Sequence, residues 1–243
     1  SYVLNNPINL NDPSGHWSCS ADEKGVDCYS WINEILEMLK NGGDVSRGAY
    51  IFFITYDNLI KELHHNNGVY IHLATDQGPF GFQSGSMLTL ASFSLIPEIG
   101  QLIPTFTIGK GFWSKPPDAN TVGAFAHEVA HLFQGFTVSL SIQAEIASYE
   151  VQYLVTEEQG GTNDKFLEYL NALWVSKGSN AGNFADKDIE EGRDLITGRS
   201  GNVFPYNLEV GRPVLTDFYR WWFGGGLDTV LNVPSVFQNF GSR

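Results

Sequence analysis

Six consecutive residues, Ala126-His127-Glu128-Val129-Ala130-His131, hold the side chains in this chain best suited to chemistry. Histidines four apart on a helix share one face. His127 and His131 can therefore hold one metal ion between them, and the Glu128 carboxylate can reach a water bound to that ion. Two imidazoles, a carboxylate base and a divalent ion are the parts needed to hydrolyse an amide. The neighbouring residues read as a helix. Val129, Leu132, Phe133 and Phe136 repeat with a period of about 3.6, Asn120 or Thr121 can cap the start, and Gly135 can end it. Pro116 and Pro117 keep the preceding loop out of it. Nearly every residue around the histidines is apolar or small, and titratable groups in so apolar a helix are costly to bury unless they are paired or bound to metal.

A catalytic zinc takes three protein ligands and keeps one open position. Ser141 to Tyr153 reads as a second helix, with Ile142, Ile146, Tyr149 and Tyr153 marking an apolar stripe. Glu145 sits beside that stripe, flanked by Ala144 and Ala147. Glu150 lies about 140° further round, towards Glu157 and Glu158. Glu145 is the expected third ligand and Glu150 the alternative. No histidine follows His131. His64 and His65 read as a polar helix end, and His72 as a strand residue that could point into the cleft. The oxyanion formed during hydrolysis needs a further donor. Tyr149, Tyr153, Tyr206, Tyr219 and His72 are available, and the expected catalytic set is Glu128 with Tyr149.

These residues resemble the gluzincin clan of zinc metallopeptidases, in His127-Glu128-x-x-His131 and in Glu145-x-x-Ser148-Tyr149. The resemblance covers about residues 105–155. It implies an α+β, zincin-like fold: a mixed β-sheet preceding the active-site helix, then a mainly helical C-terminal part. It also implies Zn2+ held by His127, His131 and Glu145. Glu128 would take a proton from water and pass it to the leaving amine. The substrate would be a polypeptide, added as a strand to an edge of the sheet, and Thr105 to Trp113 is the candidate edge. Thermolysin-like members carry an aspartate four residues after the ligand glutamate. Here that position is Tyr149, so a thermolysin-type support for the histidines is not expected.

The opening residues have a different character. Asn5-Asn6-Pro7 and Asp12-Pro13-Ser14-Gly15 are turn formers separated by short apolar pieces. From Tyr2 to Gly15 the segment resembles the end of the Rhs/YD-repeat core, Y-x-x-N-N-P-x-N-x-x-D-P-x-G. That resemblance implies that residues 1–17 are the tail of a repeat shell and residues 18–243 its variable C-terminal cargo, the metallopeptidase domain. Such cargo domains are commonly toxins or effectors, secreted or delivered to a target cell. The implied partners are the shell of the parent chain and an immunity protein.

Composition limits the alternatives. A net charge of −13 and the lack of a basic run argue against nucleic acid or an anionic membrane as partner. No apolar run is long enough for a bilayer span. The chain is 42% hydrophobic and 14% aromatic, enough for a sizeable core. Cys19 and Cys28 can close a small disulfide loop, the favoured reading if the protein is secreted. Helices are expected at 30–40, 57–65, 165–177 and 213–223, with the Trp31, Ile35, Leu36 and Leu39 face of the first turned inward and Ser30 as its cap. Strands are expected at 50–55, 69–75, 87–96 and 105–113. Gly224-Gly225-Gly226 reads as a turn and the acidic run from Asp186 to Asp194 as a solvated helix face. Two rival functions remain: a catalytically inactive binding module on the same scaffold, or a zinc amidohydrolase of non-peptide substrates.

Overall fold

Apolar residues recurring every three to four positions build most of this chain into helices, with a small sheet along one side. The computed structural model describes residues 17–63, 68–75, 87–96, 101–139, 141–200 and 231–243. The Rhs-like residues 1–16, His64, His65, Tyr206, Tyr219, the helix expected at 213–223 and the Gly224–Gly226 turn lie outside them.

Four strands, β1 (Ser18–Ala21), β2 (Tyr70–Leu73), β3 (Met87–Ile96) and β4 (Gln101–Ile108), form one sheet in the order β1-β2-β4-β3. β1, β2 and β4 run parallel, and β3 pairs antiparallel with β4. Side chains alternate between the two faces. Cys19, Ile71, Leu73, Phe106 and Ile108 turn into the core. Ser20, His72 and Thr107, adjacent across the three parallel strands, turn to the other face together with Tyr70. A small mixed sheet, with two helices between its first two strands and most of the helices after its last, makes this an α+β protein.

The parallel step from β1 to β2 requires a crossover, supplied by α1 (Cys28–Asn41) and α2 (Asp44–Leu63). α1 buries the expected face, but its cap is Asp27, which accepts from Ser30 N at 3.0 Å, rather than Ser30 itself. The strand expected at Tyr50 to Thr55 is instead the middle of α2. Val45, Ala49, Phe53, Asp57 and Ile60 are buried at helical spacing, while Ile51 and Leu59 face solvent. A disulfide joins Cys19 on β1 to Cys28 at the start of α1, as the sequence led one to expect.

The segment Thr105 to Trp113 is not one strand. β4 stops at Ile108, Gly109 follows, and α3 (Lys110–Trp113) turns away so that Trp113 Nε1 donates to Ala74 O at 2.7 Å. Nor is β4 an edge, since it lies between β2 and β3. The edges among the described strands are β1 and β3. A ring hydroxyl closes off part of β1, because Cys19 N donates to Tyr29 Oη at 3.3 Å.

α4 (Ala119–Ser139) runs through the centre, buried on nearly all sides, as expected of a helix that is apolar all round. Its cap is Asp118, whose Oδ1 accepts from both Thr121 N (2.8 Å) and Thr121 Oγ1 (2.7 Å). Gly135 does not end it. α5 (Ile142–Glu158) folds back antiparallel along α4. The two helices touch closely at Gly123, where a Cβ would lie 2.3 Å from Thr156 Oγ1. α6 (Lys165–Ser176) and α7 (Asp186–Ser200) cover the far side of α5 with a second apolar cluster around Ile146, Leu170 and Trp174. Within the acidic run Asp188 is buried, paired with Lys177 at 2.7 Å, so that face of α7 is not wholly solvated. The last helix, α8 (Val233–Gly241), crosses α2 at glycines. No helix among the described residues is long and apolar enough to cross a membrane.

Candidate metal centre

The α4–α5 hairpin brings four titratable side chains to one buried place. His127, Glu128 and His131 come from α4 and Glu145 from the first turn of α5; each is at most 6% exposed. His127 Nε2 and His131 Nε2 are 3.0 Å apart. Glu145 Oε2 lies 3.0 Å from His131 Nε2, and Glu145 Oε1 3.6 Å from His127 Nε2. Glu128 offers a carboxylate oxygen within 4.8 Å of the ring nitrogens of both histidines.

These distances can be set against metal geometry. Donors held at about 2.1 Å around a tetrahedral ion stand about 3.4 Å apart. The three separations among His127, His131 and Glu145 scatter about that value, so one ion fits between them. The charges agree. Glu128 and Glu145 contribute two negative charges when ionised, which a divalent ion would balance with both imidazoles neutral. Nitrogen and carboxylate oxygen donors together suit a divalent transition-metal ion.

His131 is held in position from behind. Gln134, one turn on, donates its Nε2 to Ala144 O at 2.9 Å, which turns Oε1 towards His131 Nδ1, also at 2.9 Å. His131 Nδ1 must then be the donor, and Nε2 is the atom that faces Glu145. Ser148 Oγ closes the arrangement, 3.0 Å from Ala144 O, 3.2 Å from Gln134 Oε1 and 3.4 Å from His131 Nδ1. A hydrogen-bond acceptor on the far ring nitrogen is the usual support for a histidine ligand. Neither Gln134 nor Ser148 was expected from the sequence to serve this purpose. In the sequence Ser148 is marked only as part of the glutamate helix.

Electrostatics tie the four groups together. Burial alone would lower the pKa of His131. The charge and hydrogen bond of Glu145, the charge of Glu128 and the bond to Gln134 outweigh it and raise the pKa to about 9. The metal-free site thus favours imidazolium, with a proton where an ion would sit, and metal binding must displace it.

The remaining candidates separate in space. Tyr149 lies beside the centre, its ring packed edge-on against His127 at 4.5 Å and against Phe166 of α6 at 4.9 Å. Tyr153 turns instead to Glu157, whose hydrogen bond raises the phenol pKa. Glu150 is away from the histidines. Asn171 of α6, its amide turned to donate, reaches the two Glu150 oxygens at 3.1 and 3.2 Å. Burial and the charge of Glu157 push the Glu150 carboxyl up to about 8. His72 does not point into the cleft. It projects from the opposite face of the sheet, where Ser20 and Asp22 bind it.

No protein-family model, curated protein or solved structure matches this chain.

Proposed function

We propose that this chain is a zinc-dependent peptidase of zincin type, with His127, His131 and Glu145 as metal ligands and Glu128 as general base. The single observation that carries the reading is the convergence of His127, His131 and Glu145 at 3.0 to 3.6 Å, with Glu128 alongside and all four side chains buried. A divalent ion bound there supplies Lewis acidity, making a water acidic enough to be deprotonated near neutral pH. Glu128 takes that proton and returns it to the departing amine nitrogen. Glu145 and His131, braced by Gln134, keep the donors in place without rearrangement. Tyr149, against His127, is the candidate donor to the developing oxyanion.

The substrate is a polypeptide. β3 supports this part of the reading: it is an edge of the sheet among the described strands, antiparallel to its neighbour, and it packs against α4. An extended peptide can add to such an edge through main-chain hydrogen bonds. β3 takes the role that the sequence suggested for Thr105 to Trp113. Together with the Rhs-like segment from Tyr2 to Gly15, the peptidase reads as the effector cargo of a repeat-shell protein, secreted or delivered to a target cell and held in check by an immunity protein.

Elemental analysis of the purified chain tests the site. The expected result is one zinc per chain, lost in His127→Ala. Glu128→Gln should keep the zinc and lower peptide hydrolysis by a factor of at least about 100. Zinc-free protein that also takes up no added zinc would overturn the reading, as would wild-type cleavage by Glu128→Gln.

A further inference from the structure

A second hydroxyl, imidazole and carboxylate stand in line on the face of the sheet that carries Tyr70 and His72. Ser20 Oγ lies 3.1 Å from His72 Nδ1. His72 Nε2 lies 3.3 Å from Asp22 Oδ1, and Asp22 Oδ2 accepts from Thr75 N at 3.2 Å. Tyr70 Oη is 2.5 Å from Ser20 Oγ, and its ring stacks on that of His72. The strands impose this arrangement. Ser20 and His72 are register partners on β1 and β2, Tyr70 is two residues from His72 on the same face, and Asp22 follows the end of β1.

The Asp22 carboxylate, 3.3 Å from His72 Nε2, favours the tautomer with its hydrogen on that nitrogen, which leaves Nδ1 as an acceptor. Ser20 must then donate to His72, which leaves its oxygen to accept from Tyr70. The result is a serine whose proton is aimed at a base, and whose base has a carboxylate 3.3 Å from its other ring nitrogen. These are the parts and roles of a nucleophilic serine site, recognised by geometry rather than by chain order. All four side chains are partly exposed: His72 to 28% and Asp22 to 44%, with Ser20 and Tyr70 also partly open. A small molecule can therefore reach Ser20.

We propose that Ser20, His72 and Asp22 form a second, metal-independent acyl-transfer site that accepts small uncharged carboxylic esters. Uncharged esters are favoured because Asp22 beside the site and the net charge of −13 repel anions, while neighbouring Glu23 is paired with Lys110. In the first step Ser20 Oγ bonds to the ester carbonyl carbon, and its proton passes to His72 Nδ1. Tyr70, released from Ser20 Oγ, donates to the carbonyl oxygen as that oxygen gains charge. Collapse breaks the bond to the alcohol, which leaves with the proton from His72. Water then adds to the acyl-serine with His72 again as base, freeing the acid and restoring Ser20.

The probe is p-nitrophenyl acetate, applied to the whole chain with its disulfide intact. The expected result is a burst of one nitrophenolate per chain and an acetyl group on the peptide that contains Ser20. The burst vanishes in Ser20→Ala and slows by about 100-fold or more in His72→Gln. It survives chelation of the metal, so its failure and the failure of the peptidase reading are separable. Asp22→Asn, which leaves the strands unchanged, gives a smaller slowing. If circular dichroism shows His72→Gln misfolded, Tyr70→Phe takes its place, with slowing again expected. Acetyl groups found elsewhere than Ser20, or equal rates in wild type and these variants, would overturn the proposal and reduce the cluster to a cross-strand hydrogen-bond ladder.

Discussion

Gln134→Leu tests how the candidate centre is held together, because Gln134 touches no proposed donor atom directly. Its Oε1 accepts from His131 Nδ1, and its Nε2 donates to Ala144 O, one residue before Glu145. Leucine has nearly the same volume and the site is only 4% exposed, so packing changes little. Two hydrogen bonds of 2.9 Å disappear. Ser148 Oγ still reaches Ala144 O at 3.0 Å, so that carbonyl keeps a donor. His131 Nδ1 keeps only Ser148 at 3.4 Å, too long for a strong bond. The net loss concentrates on the orientation of His131. Removing such a support costs about 10- to 100-fold in metal affinity, or about 1.4 to 2.7 kcal/mol. The assay is competition for zinc with a chromophoric chelator, on wild type, Gln134→Leu and Gln134→Glu. Gln134→Glu retains an acceptor for His131 and should lose less. A dissociation constant unchanged in Gln134→Leu would refute the idea that His131 is positioned through this bond.

Three further outcomes follow from other parts of the molecule. Glu150 is pushed up to about 8 by burial and by Glu157. Its proton is therefore held in the folded state after the unfolded chain has lost it, and its contribution to the stability of the metal-free protein should fall away between about pH 4.5 and pH 8. Urea unfolding should show Glu150→Gln without this part of the fall, a difference of up to about 5 kcal/mol, while the loss from His131, raised to about 9, continues in both proteins up to about that pH. Gly48→Ala should lower the melting temperature, because the new Cβ would lie 1.9 Å from Phe237 O and force α8 off α2; overpacking of this kind costs about 1 to 3 kcal/mol. Reduction of Cys19–Cys28, which bridges a sequence separation of nine, should cost about 2 to 3 kcal/mol in denaturant titrations.

The donor set was legible because it depends on local geometry. Spacing alone put His127 and His131 on one face, and the stripe through Ile142, Ile146 and Tyr149 separated Glu145 from Glu150. The bracing by Gln134 was not legible. Its amide meets His131 and Ala144 only because α4 and α5 cross closely, and that closeness depends on Gly123 and on small residues such as Ala144 and Ser148. Tyr50 to Thr55 misled for the opposite reason. A run of aromatic and β-branched residues favours a strand by itself, but tertiary contacts at Val45, Ala49, Phe53 and Ile60 impose a helical period on it. Gly135 looked like a stop, yet glycine within a helix costs only about 1 kcal/mol, and the buried surroundings of α4 outweigh that. Thr105 to Trp113 ran two elements together, since nothing but Gly109 marks the bend between β4 and α3.

The α4–α5 hairpin has a consequence in time. The four side chains of the candidate centre fall between residues 127 and 145, whereas the sheet gathers strands from residue 18 to residue 108. Closing a short helical hairpin costs little chain entropy, and local contacts form fast; parallel strand pairing over long separations is slow. By that argument the candidate donors come together before the sheet is complete, and a metal ion captured at that stage would hold the hairpin closed while the rest assembles around it. An ion that binds there would enter early and the strands would close last, an order set by where along the chain these residues lie.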